Sequence, residues 1–305
     1  MATAREIQRR MRSVRNIRQI TKAMELIAVT RLRRAQQRVL AARPYSAKLG
    51  RMVAEISAHT SGDVEETGPA HPLLDIREST RVAIVLITSD RGLCGALNGN
   101  VIRAAMQHAA GETAKGRDVS FIAVGRKAMN GLRHLPYRSF ADFQGIGDYP
   151  SLAKTSPIAR AAISGFTSGQ IDEAVVVYPK FVSTLRQDPT VMHLLPIIPA
   201  AARPHMNPTF VPSGGADDQG EFLFEPNPDA LLSAILPRFV EVQIYQAILE
   251  AIGSEFSARM VAMRNATDNA TELIKSLQLG YNKARQATIT REIIEVSSGA
   301  AALGR

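Results

Sequence analysis

From Arg238 to Arg305 the chain contains no proline, and its apolar residues recur at alternating steps of three and four. Phe239, Val242, Leu249, Phe256, Met260, Met263, Ala270, Ile274, Leu277, Tyr281 and Ala284 fall on this heptad pattern, with lapses at Gln246, Gly253 and Thr267. The pattern predicts one long helix with a narrow apolar seam. At a rise of about 1.5 Å per residue, roughly 55 helical residues reach about 80 Å, further than a compact domain of about 300 residues extends. Such a helix is expected to stick out and to need a partner. Beyond Ala284 the register lapses: Thr288 and Arg291 fall on seam positions, and Ile289, Ile293 and Val296 resume out of step. The pairing is therefore expected to end near Ala284 and to leave Arg285–Ala302 for another protein to cover.

A second stretch of the same kind lies at the other end. Residues 3–43 lack both proline and glycine, and Thr3 with Glu6 three residues on reads as a capping box. Ile7, Met11, Val14, Ile17, Ile20, Met24, Ile27, Leu32, Ala35 and Val39 follow mostly three- and four-residue steps, with arginines on the intervening faces. Pro44 predicts a break or kink, after which Tyr45–His59 can continue as helix. The economical arrangement is an antiparallel coiled coil of the two ends, because each Leu, Phe or Met buried along a seam contributes about 1.5–3 kcal/mol.

Between the helices the pattern changes. Arg81–Thr88 is a continuous β-branched run that reads as a buried parallel strand, followed by a glycine-rich turn and a helix over roughly Leu97–Ala110. Asp118–Val124, Glu173–Tyr178 and Thr190–Ile197, the last closed by Pro199, read as further strands. Helical patterns lead through Met129 and Leu132 and over Ala159–Phe166. This alternation predicts βαβ units and a mostly parallel, Rossmann-like α/β domain. Gly62–Pro72 and Pro204–Pro228 are rich in turn-forming residues and read as loop and linker; Asp229 is placed to cap the last helix and Pro237 to kink it. The divisions are 1–60 for the first shaft helix, 80–200 for the α/β domain, 201–228 for the linker and 229–305 for the second shaft helix.

Charge is concentrated at one end. Of 37 Lys and Arg, 13 fall in residues 1–50, where the only acids are Glu6 and Glu25, so this arm alone exceeds the net charge of +9. An arginine-rich helix of this kind can bind phosphate backbones, or it can be the solvated or partner-facing surface of a coiled coil. The regular apolar seam and the lack of interleaved aromatics favour the second reading. The single cysteine, Cys94, rules out an intrachain disulfide and fits a reducing compartment. No apolar run is long enough to span a membrane, and no signal-peptide pattern opens the chain.

No catalytic constellation stands out. The turn Gly92–Gly99 follows a strand and opens a helix, as phosphate cradles do, but it matches neither GxGxxG nor GxxxxGK[ST]. A structural turn is the favoured reading, with a nucleotide site as the alternative. The six histidines are scattered without metal-ligand spacing, so no metal and no cofactor is expected.

Ile289–Ala302 (ITREIIEVSSGAAA), Ile20–Glu25 (ITKAME), Thr88–Asn98 (TSDRGLCGALN) and Ala258–Arg264 (ARMVAMR) together resemble sequence blocks of the gamma subunit of F-type ATP synthases. The resemblance covers nearly the whole chain. It implies a non-catalytic rotor shaft inside a hexamer of three alpha and three beta subunits, standing on a membrane ring of c subunits beside an epsilon subunit. It implies beta-subunit contacts at Lys22, Met24, Arg259, Arg285, Gln286, Thr290 and Glu292, and contacts to the ring and epsilon at Phe222, Phe224 and Glu225. It implies no nucleic-acid partner, and a place on the cytoplasmic side of a bacterial membrane held only through the ring. No paired cysteines of the kind used for redox control in the chloroplast members are present.

Overall fold

The computed structural model describes residues 4–60, 71–198 and 227–303. The expected cap at Thr3, most of the loop Gly62–Pro72, Pro199, the linker up to residue 226, and Phe222, Phe224 and Glu225 lie outside the described residues. By compactness the chain divides into two units, Thr30–Ala258 and the combination of Met1–Val29 with Arg259–Arg305.

The larger unit is built on a five-stranded sheet. Strands β1 (Arg81–Ile87), β2 (Asp118–Val124), β3 (Arg138–Phe143), β4 (Glu173–Phe181) and β5 (Gln187–Leu195) lie in the order β3-β2-β1-β4-β5. Pairings β1–β2, β1–β4 and β2–β3 are parallel, and β5 joins β4 antiparallel at the edge. Central β1 pairs Val85 with Ile122 on one side and with Val176 on the other. All six residues from Val82 to Ile87 are buried, which is why this strand reads as an unbroken apolar run. Val82, Ile84 and Leu86 join Phe121, Ala123, Val175 and Val177 in a core closed by Val101, Ala105 and Ala109 of helix α2 (Leu97–Ala114) and Ala128 of helix α3 (Arg126–Leu132). Ala83, Val85 and Ile87 alternate onto the opposite face and are equally enclosed, so the sheet is covered on both sides. The turn from β2 into α3 depends on Gly125. Its φ is +94°, and a Cβ there would sit 2.3 Å from the Thr88 carbonyl oxygen.

Three elements depart from the sequence reading. β3 has no counterpart among the expected strands, because its alternating Arg, Ser, Ala and Asp side chains are exposed or half-buried at the sheet edge and leave no apolar run. Helix α4 (Leu152–Thr167) begins a full two turns before the expected Ala159 and carries Pro157 inside it. The missing proline N–H is tolerated because Thr155, Ser156, Ile158, Ala159, Ala162 and Phe166 are packed away from water. The last strand ends at Leu195, before Pro196, and starts at Gln187.

The terminal helices are longer than the prolines suggested. α1 (Ala4–Thr60) runs through Pro44 without a break, and α5 (Pro228–Leu303) runs through Pro237. Burial of Ser46, Leu49, Val53 and Ile56 holds α1 helical past Pro44. The cap of α5 is Asn227, whose Oδ1 accepts from Ala230 N at 2.8 Å with Pro228 in the first helical position; Asp229 lies within the helix. Within the larger unit the seam expected on this helix is too narrow a description. From Phe239 to Ala258 it is buried nearly all round, Ile244, Ala247, Ile248 and Ile252 included. Polar side chains tie it down: Ser254 Oγ donates to Pro179 O and Ser257 Oγ to Thr184 O, each at 2.7 Å, and the Arg31 guanidinium covers the Phe256 ring at 5.7 Å.

Candidate functional site

In the smaller unit α1 and α5 form an antiparallel pair, fixed by two cross-links. Thr21 Oγ1 and Thr267 Oγ1 are 2.8 Å apart, and Arg264 Nε lies 3.6 Å from Glu25 Oε1. Residue number rises on α1 as it falls on α5, which only the antiparallel direction allows.

The buried line on α1 differs from the expected one. Met11, Thr21, Glu25 and Ala28 are buried, with Ile7, Val14 and Arg18 half-buried between them, a strict alternation of four- and three-residue steps. Ile17, Ile20 and Ile27, expected in the seam, are 50%, 59% and 51% exposed. The seam is occupied by polar or long side chains at Arg18, Thr21 and Glu25, so apolar character points to the neighbouring stripe. The signal that finds the true line is the heptad itself, counted back from Leu32 and Ala35. On α5 the expected positions hold: Met263 and Ala270 are buried and Ile274, Leu277, Tyr281 and Ala284 half-buried.

This shift gives the helical pair two unlike sides. On one side Lys22 Nζ donates to Glu25 Oε2 at 3.0 Å while Arg264 reaches the other oxygen of the same buried carboxylate, so Glu25 gathers an exposed cation from each helix. The opposite flank, by heptad geometry, carries Ile17, Ile20, Met24 and Ile27 of α1 beside Ala262, Ala266 and Leu273 of α5. One side carries this pair of cations, with exposed Leu26 and Val29 beside them, and the other is apolar.

Running the register of the Thr21–Thr267 pair along both helices puts Ala4 opposite Ala284. Every described side chain from Arg285 to Ser298 is exposed, as expected from the lapse in heptad register. Arg285 and Glu292 lie on one stripe of this stretch, two turns apart; Gln286 and Thr290 lie on the adjacent stripe, one turn apart. All four are exposed and together span about 160° of the helix surface. Lys22 is 55% exposed and Met24 half-buried, and both belong to a different level of the pair. Arg264 and Arg285 are separated by about 30 Å of helix. Arg259 is 7% exposed, so its side chain packs inside the chain rather than projecting from it.

The glycine-rich turn is held by its own polar groups. Ser89 N donates to Asn98 Oδ1 at 3.1 Å, Asn98 Nδ2 donates to Cys94 Sγ at 3.1 Å, and Asp90 accepts from the backbone of Arg126 and Gly145. Cys94 is 2% exposed, as a small core residue. This arrangement suits the structural reading of the turn.

A family model described as ATP synthase matches residues 3–303. The chain is 45% identical over 304 residues to the ATP synthase gamma chain of Roseiflexus castenholzii, covering 99% of each sequence. It is 44% identical over 311 residues to that of Herpetosiphon aurantiacus, covering 100% of both. Among solved structures, the central stalk and c-ring of the Tetrahymena thermophila mitochondrial ATP synthase aligns at a TM-score of 0.59 and 21% identity, over 81% of this chain and 99% of that one. A chain of the Euglena gracilis mitochondrial ATP synthase aligns at 0.62 and 20% identity, over 98% and 94%. At these identities the structural likeness is one of fold, while the sequence matches carry the kinship. Nothing in these matches supports the nucleic-acid reading of the basic arm. The chain belongs to the ATP synthase gamma chain family.

Proposed function

We propose that the chain is the rotating central-stalk subunit of a proton-translocating F-type ATP synthase, coupling rotation of a c-subunit ring to conformational change at alpha–beta catalytic sites. It is a non-catalytic subunit in that assembly, surrounded by three alpha and three beta subunits and joined at its base by epsilon and the ring. Residues 1–60 and 229–305 act as the shaft helices, 80–200 as the inserted domain and 201–228 as the connection, with Phe222, Phe224 and Glu225 toward the ring and epsilon. No helix among the described residues is long and apolar enough to cross a membrane. In this reading the ring supplies the attachment, on the cytoplasmic face.

The observation that carries this reading is the unlike character of the two sides of the helical pair. Three surrounding beta subunits cannot all meet the same side. One faces Lys22 and Arg264 while another faces Ile17, Ile20 and Ile27. Differential contacts of this kind bias the open or closed state of each subunit, and turning the pair passes the bias to the next. Met24 lies on the apolar flank. Arg285, Gln286, Thr290 and Glu292 give the exposed end of α5 directional donors and acceptors. Arg259, at the other end of this stretch of α5 and 7% exposed, offers a partner only a small part of its side chain.

Co-expression with alpha- and beta-type subunits tests the reading. The expected result is a stable complex with ATPase activity, while the isolated chain has none. ATP turnover by the isolated chain overturns it.

A further inference from the structure

Gln243, Gln246 and Glu250 follow one another on α5 at steps of three and four, and are 2%, 5% and 9% exposed. Gln243 Nε2, Gln246 Oε1 and Glu250 Oε2 are each enclosed without a hydrogen-bond partner. Buried polar atoms in folded proteins are nearly always paired, so three orphans on one helix face call for a physical account.

Glu250 sits where three elements meet. Its carboxyl is hydrogen-bonded by the Tyr178 hydroxyl of β4 and by Gln246 one turn back on α5, and it feels the charges of Lys180 on β4 and Arg43 on α1. Tyr178 is itself buried, at 6% exposure. Lys180 and Arg43 are both exposed, so water screens their pull.

The orphans on Gln246 and Glu250 are both acceptors when the carboxyl is ionised, and two acceptors cannot satisfy each other. Their side chains are already joined by one bond, in which the Gln246 amide N–H donates to Glu250. One proton taken from water onto Glu250 Oε2 makes that atom a donor. The carboxyl O–H then donates to Gln246 Oε1 while the amide N–H donates back, closing a two-bond acid–amide ring that pairs both orphans.

We propose that Glu250 binds a proton in the folded chain and forms this two-bond carboxyl–carboxamide pair with Gln246, making the junction of α1, α5 and β4 a proton-binding site. Burial acts in the same direction: it raises the carboxyl above the ordinary glutamate value, against the opposing effects of the Lys180 and Arg43 charges and of the hydrogen bonds that Gln246 and Tyr178 donate to the ionised form. The site then stabilises the fold fully below the ordinary value and loses that contribution as pH rises through the raised one.

Infrared titration of the full-length chain tests the site, with Glu250→Gln as a neutral mimic that keeps the shape and can pair with Gln246 amide to amide. The wild-type minus Glu250→Gln difference spectrum should contain a protonated-carboxyl carbonyl band whose midpoint lies above the ordinary glutamate value. Gln246→Met, which removes the acceptor, should shift the frequency of that band. Thermal unfolding should give equal midpoints for wild type and Glu250→Gln near pH 4, with the variant increasingly the more stable toward about pH 9. A band that titrates at or below the ordinary value overturns the proposal, as do parallel stability profiles for the two proteins.

Discussion

Thr21 and Thr267, 246 residues apart in sequence, face each other across the helical seam with their hydroxyl oxygens 2.8 Å apart. Each is a polar residue in a line of apolar ones, and each would read alone as a flaw in its helix. Together they form one layer: one hydroxyl donates across the seam while the other is free to donate to its own helix, Thr21 to Arg18 O at 3.1 Å or Thr267 to Met263 O at 2.8 Å. Polar layers of this kind fix register at some cost in stability.

Replacing either threonine by valine should cost about 1 kcal/mol, because the remaining hydroxyl loses its cross-helix partner. Replacing both should cost no more than one, since two valines pack as an ordinary apolar layer. A double-mutant cycle by denaturant unfolding checks this, and simple additivity would argue against the pairing.

Asp172 ties the start of β1 to β4. Its 3%-exposed carboxylate accepts from Thr80 Oγ1 at 2.8 Å, from Arg81 N at 2.9 Å, and from the Arg81 guanidinium at 2.8 and 3.0 Å. Burial alone would raise this carboxyl; the bonds from Arg81 and Thr80 prevail and hold it at about 2, below an ordinary 3.8. The depressed value contributes about 2 kcal/mol above the ordinary pKa, lost as pH falls through about 2. Asp172→Asn should therefore lower stability near pH 7 by about 2 kcal/mol and flatten the acid limb of the stability profile, as read by thermal unfolding from about pH 7 to pH 2.

The exposed isoleucines separate folding from assembly. Changing Ile17, Ile20 and Ile27 together to serine should alter the unfolding midpoint of the isolated chain little, because all three side chains are at least half exposed. The same variant should assemble less well with alpha and beta subunits. A large loss of stability in the isolated chain would place these residues in a seam after all.

Arg285 and Gln286 lie on the exposed face of α5, free of the helical seam. Their joint replacement by alanine should leave the fold intact and lower ATPase activity of the reassembled complex several-fold. Unchanged rates in both hydrolysis and synthesis would remove them from the torque-bearing surface.

Much of this organisation is legible in the residues. The buried central strands announce themselves because β1, β2 and β4 are enclosed on both faces, and the end of the seam at Ala284 follows from the heptad alone. What is hidden is what tertiary burial overrides. Pro44 suggests a break or kink and Pro237 a kink, yet both, like Pro157, lie inside helices whose flanks are packed. β3 is invisible because an edge strand needs no apolar run. The α1 seam is displaced by one residue because Thr21 and Glu25 find partners across the interface that one helix cannot reveal. The candidate contacts differ in burial: Arg285, Gln286, Thr290 and Glu292 are exposed, while burial of Arg259 depends on packing that the sequence pattern does not encode.

The most direct test of the central claim is to watch the chain turn. Cys94 is buried, so a cysteine introduced at exposed Gln107 on α2 can carry a bead in a complex reassembled with alpha and beta subunits fixed to a surface. On adding ATP the bead should rotate in one direction, pausing at three positions per turn. Sustained ATP hydrolysis by the complex with the bead stationary would contradict a rotating shaft.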